Sequence, residues 1–210
     1  MTDQVTVFGA NGQVGSLIVE ELLTRGYRVV AFVHNSHQLP VSDTLQIIQG
    51  DIYNPSDVDA AIAGSMAVVS ALGSWGTPNK DILTAGMRNI IVSMNHHNVA
   101  RIVSLTGAEA RAPGDVLSIV HRMMHTFLGV VARKVLIDGE RHVALLAQSQ
   151  LKWTVVRSPI MTSRQLIKSR YALSMHRPRP WRTISRRSVV VSMVDLISDA
   201  EWINKAPYVS

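Results

Sequence analysis

Three glycines spaced three residues apart, Gly9, Gly12 and Gly15, follow the apolar segment VTVF near the start of the chain. Glycine permits a tight turn, and the absence of a side chain lets another group approach its backbone. Where such a loop joins a strand to a helix, the N–H groups at the helix start can bind a phosphate. The segment therefore predicts a dinucleotide-binding loop with these residues at the pyrophosphate: Gly9, Ala10, Asn11, Gly12, Gln13 and Val14. The alternative is a tight turn that binds no ligand.

Short β-branched segments alternate with helical patterns after this loop. The segments that predict strands are QVTVFG, YRVVAFV, LQIIQ, AVVSAL, RIVSLT and LKWTVVRSP. A helix is predicted from about Lys80 to His97, and Asn54, Pro55 and Gly64 supply the cap and stop signals of another. Strands that alternate with helices form a parallel sheet covered on both faces. We predict one Rossmann-type α/β domain over residues 1–210, a doubly wound parallel sheet with a small C-terminal elaboration over about residues 160–210.

The composition indicates an ordinary intracellular protein. Hydrophobic residues make up 47% of the 210 residues, and the absence of cysteine excludes disulfides and thiolate metal sites. No apolar run approaches the roughly 18 residues that a membrane-spanning helix needs. The initial MTDQVTV lacks the basic and apolar regions of a secretory signal. We expect a cytoplasmic protein, a monomer or a homodimer, with no membrane partner.

Charge is distributed unevenly along the chain. The net charge is +6, yet residues 1–100 contain 4 Lys/Arg against 8 Asp/Glu, whereas residues 101–210 contain 17 against 7. From Arg141 to Arg187 there are eleven basic residues and no acidic one, a run that attracts anions. We predict that an anionic substrate or the cofactor phosphates bind these residues: Arg164, Lys168, Arg170 and the segment RPRPWR (Arg177–Arg182). A solvated surface is the alternative. Nucleic acid is disfavoured because the run lies in irregular chain without a recognised nucleic-acid module.

The segment HRMMH places His121 and His125 on one helix face at a spacing found in metal sites. The glutamate that a metalloprotease needs after the first histidine is replaced by Arg122. No further cluster of metal ligands stands out in the sequence. We therefore predict no metal site, and we expect the pair His96-His97 to form an exposed helix end.

Four stretches of the sequence resemble the atypical short-chain dehydrogenase/reductases with NmrA-like folds, and most of all the flavin reductase/biliverdin-IXβ reductase family. They are VFGANGQVG, GDIYNPSDVDAAIAGSMAVVSALG, GMRNIIVSMNHHNVARIVSLTG and LLAQSQLKWTVVRSPIM. The resemblance implies that Asp51 and Ile52 border the adenine and that Leu72 and Gly73 pass beneath the adenosine and pyrophosphate. It also implies that Thr106 lies near the nicotinamide ribose. The segments that contain these residues follow predicted strands, and ligands of open α/β sheets bind at the carboxyl ends of the strands.

The end of the second strand decides between the two nicotinamide cofactors. Enzymes that use NAD commonly have an acidic residue there, which accepts a hydrogen bond from the ribose 2′-hydroxyl and would repel a 2′-phosphate. This chain has His34, Asn35 and Ser36 instead, with no carboxylate before Asp43. The flavin reductases that it resembles have an arginine at the position of His34. We predict that NADP(H) binds in preference to NAD(H), with His34, Asn35 and Ser36 beside the ribose.

The residues of ordinary short-chain dehydrogenase catalysis are missing. That mechanism uses Tyr-x-x-x-Lys, in which the lysine lowers the pKa of the tyrosine that donates the proton. None of the four tyrosines has a lysine four residues later, and the residue four before Lys134 is Val130. The resembling flavin reductases have a serine where Gly107 stands and a histidine where Ile160 stands. The catalytic residue stays unassigned, with Thr106 as a candidate.

Two classes of function remain open. The first is an NAD(P)H-dependent oxidoreductase of the flavin-reductase kind that reduces a flat anionic molecule such as FMN. Hydride transfer to such a molecule needs mostly stacking and alignment. Trp75 would supply the stacking plane, unless it is an aromatic packed on its own loop, and Pro159 would lie on the substrate side. The second is a redox-sensing regulator that binds the dinucleotide and a partner protein without turnover, as some NmrA-like proteins do.

Overall fold

Six parallel strands form the centre of the sheet, as the sequence predicts. They are β1 (Gln4–Phe8), β2 (Arg28–Val33), β3 (Leu45–Gln49), β4 (Ala67–Ser70), β5 (Arg101–Gly107) and β6 (Lys152–Ser158). Their spatial order is β3-β2-β1-β4-β5-β6, so the direction of winding reverses between β1 and β4. Ligands of such sheets bind at this reversal, outside the carboxyl ends of the strands. The computed structural model that shows this describes residues 3–35, 38–75, 77–115, 118–163, 170–179 and 181–210.

The C-terminal region adds four short strands that the sequence patterns do not predict. They are β7 (Ile160–Thr162), β8 (Leu173–Ser174), β9 (Thr183–Ser185) and β10 (Tyr208–Val209). Strand β10 pairs parallel with β6 and antiparallel with β8, which extends the main sheet to eight strands, while β7 and β9 form a separate pair. Strands of two or three residues are too short for an apolar alternation to reveal them.

The described residues contain six helices. They are α1 (Gly15–Thr24), α2 (Pro55–Ile62), α3 (Ile82–His96), α4 (Ile119–Val131), α5 (Arg133–Gln148) and α6 (Arg186–Asp195). Helices α1 and α6 cover one face of the sheet, and α2, α3 and α5 cover the other. Helix α4 packs against α5 and has no buried residue. No helix within the described ranges is long and apolar enough to cross a membrane.

The predicted cap of α2 is confirmed in atomic detail. The Asn54 side chain accepts a hydrogen bond of 3.1 Å from the N–H of Ser56, and Pro55 occupies the first helical position. Gly64 follows the helix with φ of 76°, a conformation that favours glycine. Such local signals set where α2 begins and ends, and they hold the preceding GDI segment at the edge of the sheet.

Candidate functional site

The glycine loop joins β1 to α1, and Gly9 makes its turn. Gly9 has φ of +74°, and a Cβ atom there would lie 2.7 Å from the carbonyl oxygen of Ala71, just after β4. A side chain would therefore be both strained and in collision with the neighbouring strand end. Gly9 is thus required for the loop to sit across the β1–β4 reversal.

Gly15 and Gly12 shape the rest of the loop. A Cβ atom on Gly15 would lie 2.0 Å from the carbonyl oxygen of Gly9, so only glycine lets α1 start this close to the turn. Gly12 is exposed, and its N–H donates to the Gly9 carbonyl at 3.0 Å. No side chain caps the start of α1. A helix N-terminus that no side chain caps, approached over exposed glycine, fits the phosphates of a dinucleotide.

His34 lies exposed at the end of β2, beside the start of the GDI segment. Its Nδ1 donates to the carbonyl oxygen of Gly50 at 3.4 Å, which leaves Nε2 for a ligand. A neutral imidazole in this tautomer offers a ligand an acceptor, and a protonated one offers a donor. Asn35 next to it is exposed, and Ser36 lies outside the described residues.

Asp51 and Ile52 follow β3 and have different environments. Asp51 is exposed, and its carboxylate accepts from the N–H of Tyr53 at 3.0 Å. Ile52 is buried against α3, where Gly86 leaves room for it: a Cβ on Gly86 would lie 2.7 Å from Ile52 Cγ1. The same glycine faces Leu72 after β4, at 3.0 Å from Cδ1. Gly86 therefore lets the two segments predicted to border the adenosine approach each other, a role that the sequence patterns did not reveal.

Asp138 on α5 anchors the loop after β4, and sequence reasoning missed it. Its buried carboxylate accepts four hydrogen bonds. The donors are Ser74 Oγ at 2.6 Å, Leu83 N at 3.1 Å, Thr84 N at 2.9 Å and Thr84 Oγ1 at 2.6 Å. The last three belong to the first turn of α3, where a negative charge is stabilised by the helix dipole. The only sequence signal is a single aspartate on the inward face of a helix.

Thr106 ends β5 with its hydroxyl directed at α5. A Cβ on Gly139 would lie 2.9 Å from Thr106 Oγ1, so the absence of a side chain there accommodates the threonine. One turn away, His142 Nε2 pairs with Ser104 Oγ at 2.8 Å. Burial lowers the pKa of His142 from 6.5 to about 4, although Asp138 opposes this, so the imidazole is neutral. The neutral His142 can therefore position Ser104 beneath the predicted nicotinamide site, but it brings no charge to that site.

The open part of the site lies above Gly73 and Gly107. A Cβ built on either glycine has no atom within 4 Å, and neither residue has a positive φ. Trp75 is 72% exposed and therefore is not a packed core aromatic. Ile160 is 69% exposed, whereas Pro159 is buried at the end of β6. The cleft therefore offers room and apolar surface near the carboxyl ends of β4, β5 and β6.

The basic run from Arg141 to Arg187 is partly neutralised by acidic residues distant in sequence. Arg157 is fully buried, donates to Asp115 and stacks 3.8 Å from the centre of the Tyr208 ring. Arg177 donates to Glu109 at 2.7 Å, and Arg187 to Glu21 at 2.8 Å. The prediction that RPRPWR binds an anion therefore narrows to its exposed members, Arg179 and Arg182. Arg170 is also exposed, whereas Arg164 and Lys168 lie outside the described residues.

The histidines of HRMMH do not share a ligand. The Nε2 of His121 donates to the carbonyl of Pro178 at 3.1 Å, and that of His125 contacts Glu140 at 2.8 Å. The described residues instead bring His96 and His97 to the carboxylate of Asp59, at 2.9 and 3.0 Å. His96 is exposed, as expected of a helix end, but His97 is half-buried. These contacts link α2 to the end of α3, and Asp59 has a lowered pKa because both histidines hydrogen-bond to it.

Comparison with known proteins agrees with this geometry. A short-chain dehydrogenase/reductase from Veillonella parvula DSM 2008, solved in complex with NADP, superimposes with a TM-score of 0.81 at 18% identity over 100% of this chain and 95% of that one. ChuY, an anaerobillin reductase from Escherichia coli O157:H7, superimposes with a TM-score of 0.77 at 16% identity, over 98% of this chain and 96% of that one. At these identities the likeness shows the fold, which confirms the predicted Rossmann-type sheet.

Sequence relatives extend further in length than this chain. The chain is 30% identical over 171 residues to the uncharacterized chloroplastic protein At2g34460 of Arabidopsis thaliana, covering 74% of this chain and 58% of that protein. It is 30% identical over 139 residues to a 2-alkyl-3-oxoalkanoate reductase of Stenotrophomonas maltophilia (strain K279a), covering 63% and 39%. The matches thus span about two fifths to three fifths of those relatives. The model of the NAD(P)H-binding family matches residues 9–200, from the first glycine of the loop almost to the C-terminus, and the chain belongs to that family.

Proposed function

We propose that the chain is an NADPH-dependent reductase of the flavin-reductase kind, which transfers hydride to a flat anionic acceptor. The observation that carries this proposal is the open space above Gly73 and Gly107, with exposed Trp75 beside it. A planar molecule stacked there would lie at the carboxyl edge of the sheet, where the family binds its dinucleotide. The named activities of the 2-alkyl-3-oxoalkanoate reductase and of ChuY support a reduction, though of other molecules.

The chain would hold the dinucleotide at three places. The glycine loop and the start of α1 bind the phosphates, Ile52 and Leu72 border the adenosine, and Thr106 lies beneath the nicotinamide ribose. A bound nicotinamide supplies the hydride itself, so the protein has mainly to bind and align. Asp138 fixes the loop that follows Gly73 and thereby keeps the edge of the cleft in place.

His34 supports the preference for NADP(H). No carboxylate of the described residues hydrogen-bonds to its ring, and its Nδ1 is held by Gly50. Protonation of Nε2 would give a charged donor to a 2′-phosphate, while a neutral ring can accept from a 2′-hydroxyl. Substitution of His34, which lies beside Asn35 and Ser36 at the predicted ribose position, therefore tests the proposed preference.

A redox-sensing regulator without turnover is the second candidate. The observation that favours it is the lack of a proton donor at two positions, since Gly107 has no side chain and Ile160 is apolar and exposed. A binding protein needs only the cofactor cradle. The two candidates differ in whether NADPH is consumed.

Turnover measurements with matched variants test the proposal. NADPH absorbance is followed with FMN, riboflavin and quinones as acceptors, using the wild-type chain, Trp75→Ala and the control Phe127→Ala, which removes an aromatic of α4 that is 60% exposed. We expect turnover that is highest with FMN and is reduced at least about tenfold only by Trp75→Ala, since stacking aligns the acceptor. Tight NADPH binding with no consumption in the presence of any acceptor would overturn the reductase and leave the regulator.

A further inference from the structure

Helix α4 presents its most apolar side to solvent. Ile119, Met123, Phe127 and Val130 recur at spacings of four, four and three residues and so share one face. We call them the outward face of α4. They are 75%, 69%, 60% and 79% exposed, respectively. A helix of a globular protein normally packs such an apolar stripe against the core. On α4 the stripe is exposed to solvent instead.

The opposite side of α4 is the polar one, and it is the side that contacts the protein. His121 donates to Pro178 and His125 pairs with Glu140, both within the fold. The helix is therefore held in its orientation by hydrogen bonds, and the outward face remains exposed. A shallow groove lined by Met123, Arg122 and Phe127 runs along it.

The charge around the outward face is of one sign. Arg122 lies on the helix, and Arg133 and Lys134 follow it directly and are exposed. Between Asp115 and Asp138 the sequence contains no acidic residue. Both of these carboxylates are occupied, Asp115 by Arg157 and Asp138 by the start of α3, and Glu140 is paired with His125. An apolar stripe bordered by unopposed cations complements an anionic surface.

An exposed tryptophan lies on the loop next to α4. His121 contacts this loop through Pro178, and Trp181, three residues later, is 71% exposed. The guanidinium of Arg179 lies 6.0 Å from the centre of the Trp181 ring. Aromatic and basic side chains together are typical of segments that lie at the boundary between lipid headgroups and acyl chains.

We propose that the outward face of α4 docks the protein on the surface of an anionic lipid bilayer. A second copy of the chain suits this face less well, because a symmetric contact would bring Arg122, Arg133 and Lys134 close to the same residues of the other copy. Negatively charged headgroups instead attract these cations, while the apolar stripe enters the interface between headgroups and acyl chains. The proposed contact is peripheral and differs from the sequence-based expectation of no membrane partner, and the vesicle experiment distinguishes the two.

Vesicle sedimentation tests the apolar part. The full chain is mixed with phosphatidylcholine vesicles, with or without phosphatidylglycerol, at low and high salt. We expect at least tenfold stronger partitioning to the anionic vesicles, weakened by salt. Met123→Asp/Phe127→Asp abolishes it. The control Val41→Asp/Val92→Asp, which places the same two charges on exposed apolar positions outside α4, leaves it unchanged.

The basic part is tested separately. Arg122→Gln/Arg133→Gln/Lys134→Gln lowers the partition coefficient by about fivefold per charge removed. Arg28→Gln/Arg88→Gln/Lys152→Gln removes three exposed charges elsewhere and lowers it by less than about twofold per charge. Equal losses in the two triple variants, or no partitioning of the wild-type chain, would overturn the proposal. So would a dimer in sedimentation equilibrium that Met123→Asp/Phe127→Asp dissociates, because a second copy would then cover the face.

Discussion

Asp138 on α5 accepts a hydrogen bond of 2.6 Å from Ser74, which follows Gly73 in the loop after β4. The same carboxylate accepts from two N–H groups at the start of α3. One buried charge thus ties a cleft loop to a helix start and to α5. Because the proposed cofactor site includes this loop, we expect stability and cofactor affinity to depend on Asp138 together.

We expect Asp138→Ala to lower the free energy of unfolding by about 3 kcal/mol, because the buried donors of Ser74 and Thr84 lose their acceptor. The dissociation constant of NADPH should rise as well. Urea unfolding and a binding titration measure the two effects. Asp43→Ala, in an exposed loop, is the control, and similar stabilities for both variants would contradict the role of Asp138.

Gly12→Ala should weaken NADPH binding at least about tenfold while the protein stays folded, because a methyl group would stand where the phosphate approaches. The added Cβ lies 3.2 Å from the Gly9 carbonyl oxygen, so the loop must shift slightly to accept it, but φ is not positive and the backbone conformation itself is open to alanine. Gly129→Ala on α4 is the matched control, since nothing lies within 4 Å of its Cβ. Fluorescence titration gives the affinities. A loss of melting temperature that parallels the loss of binding would mean that the loop itself is disrupted.

Substitution of His34 should change the cofactor preference in opposite directions. His34→Arg adds a fixed charge for the 2′-phosphate and should favour NADPH by about tenfold over the wild type. His34→Asp should favour NADH, because a carboxylate accepts from the 2′-hydroxyl and repels the phosphate. Dissociation constants for both cofactors check this. His176→Arg, an exposed position elsewhere, controls for added charge. If both His34 variants leave the ratio of the two dissociation constants unchanged, the 2′ position of the ribose does not lie beside His34.

The pH dependence of stability should report His142. Its folded-state pKa of about 4 lies below its ordinary value of 6.5, so on acidification the unfolded chain takes up the proton first. The neutral imidazole therefore makes its full contribution to the free energy of unfolding above pH 6.5. This contribution is lost as the pH falls toward 4. Between pH 7 and pH 5 the wild-type chain should lose about 2 kcal/mol more than His142→Gln. Urea unfolding at both pH values measures this, and parallel losses would show that His142 is solvated.

The basic residues predicted from the sequence to bind an anionic acceptor should distinguish FMN from riboflavin. Arg164→Gln/Lys168→Gln/Arg170→Gln should raise the KM for FMN by about tenfold and that for uncharged riboflavin by less than about twofold. Arg177→Gln serves as a comparison, because Arg177 is already paired with Glu109. Equal changes in KM for the two flavins would mean that the basic run is a solvated surface and does not bind the acceptor.

Local patterns were sufficient to predict the six central strands, helix α2 and the glycine turn between β1 and α1. The glycine spacing, the β-branched segments and the Asn54 cap act over a few residues, and the six central strands and α2 follow them. Because a glycine turn between strand and helix has few other uses, the loop also indicated the family to which the chain belongs.

Tertiary structure alone decided which basic side chains remain without an acidic partner and which helix face remains exposed to solvent. Ser74 and Asp138 are 64 residues apart and Arg177 and Glu109 are 68 apart, so no sequence window contains either pair. The basic run looked unopposed because its acidic partners Asp115, Glu109 and Glu21 lie in the loop after β5 and on α1, far from it in sequence. Helix α4 is amphipathic in sequence, which ordinarily predicts an inward apolar face. Its orientation is set by the contacts of His121 and His125 with distant residues, and these turn the apolar face outward.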